Sequence, residues 1–314
     1  MSATAIGIRE GARRRPRSAG LPFWAFVGPL LLGLTVFTYI PIVWGILLSF
    51  SHARGSVSLG EWVGLGNYLS LLGDAAFRRA MVTIVIFTIL IVPVSFAIGL
   101  GLALLVNEAT RGRAFFRTVF FIPTAVSYVV ASLVWKMDIF SGLPYGLANM
   151  VTGAFGGAPV AWIASPNPPW YWLVLVTLRL WLQLGFYMII FLAGLQEIPQ
   201  HLYEAADVDG ARRGWQSFRY VTVPQLRNTS VAVLLLLFIN AFQAFAEFYN
   251  VLGNGLGSGG NTILARPPLV YLYQVAIGQQ DYGRGSAGAF LLTALILLVT
   301  FGQGRLFGFG RSES

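Results

Sequence analysis

The sequence predicts an all-α integral membrane protein with six transmembrane helices. Of its 314 residues, 56% are hydrophobic and only 11% are charged, whereas about a quarter of the residues in a typical soluble domain are charged. The hydrophobic residues form continuous runs of about twenty residues, the length that an α-helix needs to cross a bilayer. An open sheet is excluded because backbone groups in lipid must be satisfied within their own segment. A β-barrel would show short alternating segments instead of continuous runs.

Six uncharged or nearly uncharged runs define the predicted spans. The first is longer than one crossing requires, and Pro29 and Pro41 are expected to bend or bound it. Lys136 closes the third run, and the fourth contains one charge, Arg179. The predicted spans are residues 21–50, 81–106, 118–135, 170–195, 229–251 and 286–307. Together they form one transmembrane domain over residues 21–307, with short tails at 1–20 and 308–314.

The distribution of positive charge predicts the orientation. The net charge is +9, and five arginines precede the first run: Arg9, Arg13, Arg14, Arg15 and Arg17. With the N-terminus inside, the inner segments hold 14 lysines and arginines and the outer segments hold six, which predicts that both termini are cytoplasmic. A basic cluster beside a span meets anionic lipid headgroups, so membrane lipid and not nucleic acid is the expected partner. The first run is too long for a signal-peptide core and is interpreted as an uncleaved span.

The chain lacks the residues of an enzyme or a metal centre. It has no cysteine, and its two histidines, His52 and His201, lie far apart in the sequence, so no thiolate nucleophile, disulfide or metal site is expected. The only lysine, Lys136, follows Val134-Trp135 and belongs to no phosphate-binding loop. We therefore expect no cofactor and no ATP hydrolysis in this chain.

The polar loop 196–227, between the fourth and fifth spans, is the most distinctive segment. It carries three acids within six residues, two adjacent alanines and a glycine, in the order Glu204-Ala205-Ala206-Asp207-Val208-Asp209-Gly210. Pro199 suits the start of a short helix that would run to Asp207, and Gly210 permits a sharp change of direction. A second short helix is predicted to end at Pro224. We interpret the loop as a docking element for a soluble protein; the alternative is an amphipathic loop on the headgroups.

These residues resemble the signature loop of binding-protein-dependent ABC importer permeases. That signature has Glu-Ala-Ala, three residues and Gly, then a spacer before an Ile-x-Leu-Pro-like element. Here Glu204, Ala205, Ala206 and Gly210 are in register, and Val221-Thr222-Val223-Pro224 follows. The spacer is one residue longer than usual, and valine replaces both Ile and Leu. Segments 116–123, 191–199 and 242–252 are similar to other parts of the branch that imports sugars and glycerol phosphate.

The resemblance implies a division of labour among several proteins. A second permease would complete a heterodimer, two ATPase subunits would bind ATP and Mg and dock on the cytoplasmic loops, and an external substrate-binding protein would deliver the substrate. The coupling residues it implies are Glu204, Ala205, Ala206, Asp207, Gly210 and Pro224. The expected function is alternating-access import of a sugar or polyol across the bacterial inner membrane. Glycerol phosphate or its diesters are an alternative substrate class.

An ion-coupled secondary transporter is the alternative from a different class. It would be expected to show paired ionisable groups at mid-membrane or interrupted helices in two matching halves. One arginine within six spans gives that interpretation little support, and it leaves the Glu204 loop unexplained.

Polar and aromatic residues inside the spans are the candidates for the substrate path. Asn240, Gln243 and Glu247 have the spacing of one helix face, and amides beside aromatic rings suit a sugar. Arg179 meets either an anionic substrate or an acid on another helix, and the amides either bind substrate or bond between helices. The candidates are Arg179, Gln183, Asn240, Phe242, Gln243, Phe245 and Glu247. Loops 137–169 and 252–268 are rich in Gly and Pro and are predicted to be irregular; the second is either a connector or a contact for an external partner or the substrate.

Overall fold

A computed structural model describes residues 20–109, 111–211, 214–253 and 265–307. The arginine-rich tail 1–19, the C-terminal tail 308–314 and most of the Gly-rich loop 252–268 lie outside the described residues. The α-helices are α1 Gly20–Leu34, α2 Ile40–Ser49, α3 Gly66–Gly73, α4 Ala75–Glu108, α5 Arg113–Phe121, α6 Tyr128–Val134, α7 Leu147–Ala154, α8 Tyr171–Glu197, α9 Gln200–Val208, α10 Trp215–Ser217, α11 Val223–Gln225, α12 Arg227–Phe242, α13 Ala246–Leu252, α14 Pro268–Tyr273 and α15 Tyr282–Phe307.

The lengths of the apolar helices confirm the predicted class of membrane fold. Among the described residues, four helical segments are long and apolar enough to cross a bilayer, and two bent helix pairs bring the number to six if each pair is one span. The first segment, Phe23–Ser49, contains a π-helical turn at Thr35–Tyr39, which ends two residues before Pro41. A π-turn at this place fits the loss of a backbone donor at a proline. The chain divides by packing into two units, with the boundary between Leu47 and Leu48. The helices and cavities of the candidate sites belong to the second unit.

Helices α4 and α8 form the centre of the second unit. Asp74 caps the 34-residue α4 by accepting a hydrogen bond from the Ala76 amide at 2.7 Å. Both helices bury large apolar side chains, and α4 also buries small residues such as Thr88, Ser95 and Gly99, which are common where membrane helices pack closely. Glycine permits the closest approach, because a Cβ added at Gly185 of α8 would lie 2.0 Å from the Phe120 carbonyl oxygen.

The third span is broken, although the sequence predicts one continuous helix over 118–135. Two helical segments, Arg113–Ala125 and Tyr128–Ile139, meet at 95°. Pro123 lies in a 3₁₀ turn at Ile122–Ala125, and Ser127 begins the next helix by accepting a hydrogen bond from the Val129 amide. A proline followed by a competent N-cap ends one helix and starts another, so the single-helix prediction is wrong.

The fifth predicted span, 229–251, is also interrupted. Helix α12 ends at Phe242, residues 243–245 are not helical, and α13 starts at Ala246. The prediction that Asn240, Gln243 and Glu247 share one helix face is therefore wrong. The break leaves the last backbone carbonyls of α12 without helical hydrogen-bond partners. Inside a membrane these carbonyls must accept hydrogen bonds from other groups of the protein.

Helices α3, α7 and α14 lie in segments where the sequence gives no helix. Helix α7 falls within the loop 137–169 that is predicted to be irregular, and that prediction is wrong over α7.

The buried side chain of Asn149 holds several parts of this loop together by hydrogen bonds. Its amide nitrogen donates to the carbonyls of Ser141, Leu143 and Val160, and its amide oxygen accepts from the Val160 amide and the Trp162 indole.

Candidate docking loop and translocation site

The docking loop begins with α9, directly after α8. Pro199 precedes the helix, and no residue of α9 is buried. Glu204 and Ala205 are exposed, whereas Ala206 and Asp207 are half-buried. At the end of the helix, the backbone amide of Gly210 donates a hydrogen bond to the Asp207 carbonyl at 3.1 Å. Gly210 has φ +81, a conformation that favours glycine, so the change of direction predicted at this residue is present.

A second helical run, Trp215–Gln225, returns the chain to the membrane. It starts after Gly214, whose φ is +99. Pro224 lies near the end of this run, directly after a π-helical turn at Phe218–Thr222. The run ends at Gln225, one residue after the predicted end at Pro224, and meets α12 at a bend of 70°. The hydroxyls of Tyr203 and Thr222 are 3.0 Å apart and join α9 to the returning run.

A cavity of about 550 Å³ lies between α9, the returning run and the end of α4. Its walls include the aromatic rings of Tyr203, Trp215 and Phe218 and the carboxyl groups of Glu108 and Glu204. Glu108 is the last residue of α4, so the docking loop and the C-terminal end of α4 lie at the same end of the bundle. The structure therefore brings Glu204 and Asp207 together beside an open, partly apolar concavity.

Arg179 lies deep in the bundle and joins several helices. Its side chain is 5% exposed and pairs with Glu247, whose side chain is 1% exposed. Its other terminal nitrogen donates to the backbone carbonyl of Asn240, and its Nε donates to Gln183 Oε1 at 3.1 Å. A buried charge is costly unless it is both paired and hydrogen-bonded, and Arg179 satisfies both conditions.

The partners of Arg179 lie on both sides of the break in the fifth span. Asn240 is in the last turn of α12, and Glu247 is in the first turn of α13. The guanidinium carbon also lies 5.7 Å from the centre of the Phe87 ring and 5.9 Å from that of Tyr128, which is within the range of cation–π attraction. Tyr128 is the first residue after the break in the third span. One guanidinium therefore contacts the edges of both breaks.

The other candidates at the break divide into buried and exposed groups. Phe242 is 4% exposed and belongs to the core, whereas Gln243 is exposed in the break itself. Asn240 is half-buried, and its amide nitrogen donates to Tyr187 Oη at 3.4 Å and to the Leu236 carbonyl at 2.8 Å. Of the amide candidates, Gln243 is therefore the one most open to a ligand.

An aromatic cluster begins at Phe245, two residues after Gln243 in the sequence. The ring of Phe245 stacks on Tyr249 with centres 5.2 Å apart, and Tyr273 contacts both rings at 5.5 and 5.6 Å. All three rings are partly exposed. Sequence reasoning missed Tyr249 and Tyr273 as site residues. The spacing of Phe245 and Tyr249 by four residues is a signal for the first, but Tyr273 lies in α14, which the sequence analysis did not anticipate.

Comparisons with known proteins agree on the type of protein. Residues 95–307 match the family model described as binding-protein-dependent transport system inner membrane component. A probable ABC transporter permease of Pyrococcus horikoshii is 32% identical over 90% of this chain and 94% of its own length. The alpha-glucoside transport system permease of Rhizobium meliloti is 32% identical over 87% of this chain and 79% of its own. The trehalose/maltose transport system permease of Thermococcus litoralis is 32% identical over 87% of this chain and 88% of its own length.

A solved structure has the same fold. The chain superposes on a bacterial ABC transporter involved in the import of the acidic polysaccharide alginate with a TM-score of 0.80, covering 93% of this chain and 96% of that one at 22% identity. A second crystal structure shows the alginate transporter in complex with its substrate-loaded periplasmic protein, with a TM-score of 0.78. At this identity the likeness establishes the fold. The family model covers more than half of the sequence, and the chain belongs to the binding-protein-dependent transport system inner membrane components, the permease subunits of ABC importers.

Proposed function

We propose that this permease forms, together with a second permease, the path of a sugar or related polyol across the bacterial cytoplasmic membrane. Two ATPase subunits would drive it through the Glu204–Gly210 loop, an external binding protein would supply the substrate, and both termini would lie in the cytoplasm. The observation that carries the proposal is α9: an amphipathic nine-residue helix without a buried residue, held between α8 and the returning run. Such a helix leaves one face, which includes Glu204 and Ala205, open to a partner.

The geometry between α9 and the breaks supports a mechanical link. Helix α8 is uninterrupted from Tyr171 to Glu197, and α9 follows after two residues. Arg179 lies 18 residues before Glu197 on α8, which corresponds to about 27 Å along a helix. A displacement of the docking loop would therefore move the residue that holds both broken spans, provided that α8 moves as a rigid body.

The break site supports a neutral, hydroxyl-rich substrate. Gln243 can exchange hydrogen bonds with hydroxyl groups, and the ring faces of Phe245, Tyr249 and Tyr273 offer apolar surface to the C–H face of a sugar. Arg179 offers no free charge to an anionic substrate, because Glu247 and Asn240 already hold its guanidinium. The relatives named for alpha-glucosides and for trehalose and maltose make glucosidic oligosaccharides the first compounds to test.

The first experiment isolates the tagged chain from its native membrane in mild detergent and identifies the proteins that accompany it. An ATPase, a second permease and, with substrate present, a binding protein are expected. The purified assembly is then reconstituted in vesicles, and substrate-stimulated ATP hydrolysis is measured for glucosidic sugars, polyols and glycerol phosphate. Recovery of the chain alone, also after crosslinking in intact membranes, would contradict the proposal.

Two substitutions test the docking loop within that assembly. Glu204→Lys reverses a charge on the exposed surface of α9, and Gly210→Pro removes the backbone conformation at φ +81 that the turn requires. Both proteins should insert normally but lose at least about tenfold in uptake, the effect of about 1.4 kcal/mol of lost coupling energy. Tyr220→Ser, an exposed change on the returning run, is the control. Wild-type uptake in both variants would refute the assignment.

A further inference from the structure

A second cavity lies at the other end of the bundle and has no place in the proposed function. It measures about 390 Å³ and is formed by the first turns of α4 and α8. Its walls include Arg78, Arg79, Tyr171 and Trp172, and its floor includes Val82 and Ile86. Because α4 runs from this cavity to Glu108 beside the docking loop, the two cavities lie at opposite faces of the membrane.

The two arginines carry positive charge that the described part of the chain does not neutralise. Both are exposed. Arg78 Nη1 donates to the Leu72 carbonyl and Arg79 Nε to the Ala75 carbonyl, each at 3.3 Å, and neither forms an ion pair with a described residue. These weak bonds to the local backbone leave most of the ten guanidinium N–H donors free.

The acid closest to the two arginines in the sequence, Asp74, bonds to other groups. Its Oδ2 accepts hydrogen bonds from the Tyr271 hydroxyl at 2.7 Å and from Arg284 at 3.3 Å, and its Oδ1 caps α4. Arg266 is close enough to Arg79 to feel its charge: burial lowers the pKa of Arg266 most, Tyr271 and Asp74 raise it, and repulsion from Arg79 lowers it. The mouth of the cavity therefore attracts anions.

The surface of α4 below the arginines is apolar. Val82, Ile86 and Leu90 recur every four residues on one helix face and are 57%, 41% and 38% exposed. From Arg78 to Leu90 the helix rises about 18 Å, close to the ~15 Å depth of one leaflet of a ~30 Å hydrocarbon core. A polar translocation path would not present such a ridge, whereas a lipid chain would cover it.

The level of the arginines along the helix matches that of lipid headgroups. A helix of 34 residues such as α4 is about 51 Å long, and a bilayer with its headgroups measures ~40–45 Å. The first turns of α4 therefore lie in the headgroup layer. Tyr171 and Trp172 lie at the same level, where aromatic side chains are enriched at the membrane interface.

We infer that the cavity is a binding site for an anionic phospholipid of the leaflet opposite the docking loop. The phosphodiester accepts hydrogen bonds from Arg78 and Arg79, for which guanidinium groups are well suited. One acyl chain lies along Val82, Ile86 and Leu90. Basic pockets between transmembrane helices bind acidic headgroups elsewhere by the same combination of charge and apolar surface.

Lipid retention tests the inference directly on the transporter as it is isolated. The protein is reconstituted in phosphatidylcholine vesicles containing phosphatidylglycerol, re-extracted in mild detergent and examined by native mass spectrometry. The double variant Arg78→Gln, Arg79→Gln should retain at least fivefold less phosphatidylglycerol than the wild type. Arg54→Gln is the matched control, because Arg54 is exposed at the same end, where its backbone bridges to Asp281, and it should retain the wild-type amount.

Two further comparisons distinguish the possible occupants. Phosphatidylethanolamine should not replace phosphatidylglycerol, and inorganic phosphate at millimolar concentration should not displace it, because only the lipid contacts the apolar ridge. Equal retention in the double variant, or displacement by phosphate alone, would overturn the inference. The measurement does not depend on transport, so it stands even if the proposed function fails.

A cysteine probe tests whether protein covers the ridge instead. The chain has no cysteine, so Val82→Cys introduces a single thiol on the exposed face below the arginines. In native membranes this thiol should react with a maleimide carried on a phospholipid. Efficient crosslinking to a second permease at this position, with no lipid labelling, would show a protein interface and refute the lipid site.

Discussion

The buried pair of Arg179 and Glu247 gives the sharpest prediction about the bundle. Arg179→Met keeps the length and the apolar stem of the side chain but removes its charge. The carboxylate of Glu247 is then buried without a partner, and the Asn240 carbonyl loses its donor. Removing one partner of a buried ion pair costs about 3–5 kcal/mol. On a scale of about 2 °C per kcal/mol for a large domain, the unfolding temperature should fall by at least about 5 °C.

A double-mutant cycle separates the ion pair from the other contacts of Arg179. Arg179→Met together with Glu247→Leu replaces both charges with apolar groups, which is often nearly neutral in a core. The double variant should therefore be more stable than Arg179→Met alone. The Asn240 carbonyl remains unsatisfied in both, so the rescue should stop short of the wild type by about 1–3 kcal/mol. Arg179→Lys can still reach Glu247 but cannot also span to Asn240, and it should be intermediate.

The assay is thermal unfolding in detergent, read from the fluorescence of the nine tryptophans, alongside the apparent KM for substrate in vesicles. If the pair is structural, stability falls and KM for every transported substrate changes less than about twofold in variants that still fold. An unfolding temperature within about 1 °C of the wild type, with a loss of affinity, would refute this reasoning and make Arg179 a ligand.

Three further predictions concern packing, pH and the loop. Gly185→Ala would bring a Cβ to 2.0 Å from the Phe120 carbonyl oxygen. Helix α8 must then shift, and the free energy of unfolding should fall by about 1–3 kcal/mol. Gly101→Ala is the control: its Cβ would lie in open space, and it should leave the unfolding temperature unchanged in the same thermal assay. For Asp74, burial raises the pKa, but hydrogen bonds from Tyr271 and backbone amides and the charge of Arg284 lower it overall. The ionised form of Asp74 therefore stabilises the fold above the usual pKa of about 4, and this effect is lost as pH falls through the lowered pKa. Asp74→Asn should flatten acid unfolding below about pH 4, and an unchanged acid limb would contradict the assignment. Asn149→Leu removes five hydrogen bonds and should open residues 141–162 to rapid hydrogen exchange, and undiminished protection there would contradict its role.

The class of fold and the helix α9 could be predicted from the sequence because their signals are local. A span is a run of uncharged residues, and the helix α9 follows from a proline start, eight residues without a breaker and a glycine stop. The predicted helix 199–207 and the observed Gln200–Val208 differ by one residue at each end. These signals need no knowledge of what the segment packs against.

The two breaks could not be predicted in the same way, because tertiary contacts stabilise them. Residues 243–245 contain no proline or glycine, and hydropathy continues through them. The helix ends there because Arg179, 61 residues earlier in the sequence, satisfies the carbonyl that the break exposes. Pro123 is a visible signal in the third span, but prolines also lie within intact helices, as Pro93 does in α4. Composition alone does not separate these cases.

The Arg179–Glu247 pair and the two broken spans are features that the sequence analysis expected of an ion-coupled transporter, and the contacts of Arg179 argue against that role for the cation of the pair. A secondary transporter would need an ionisable group that gains and loses a proton or an ion during the cycle. Arginine cannot be deprotonated in proteins, and here five groups on α4, α6, α8, α12 and α13 surround its guanidinium. A charge held this way can order the backbone at two broken helices, but it cannot carry a proton. Helix α8 connects this residue to the loop where we propose that the ATPase binds.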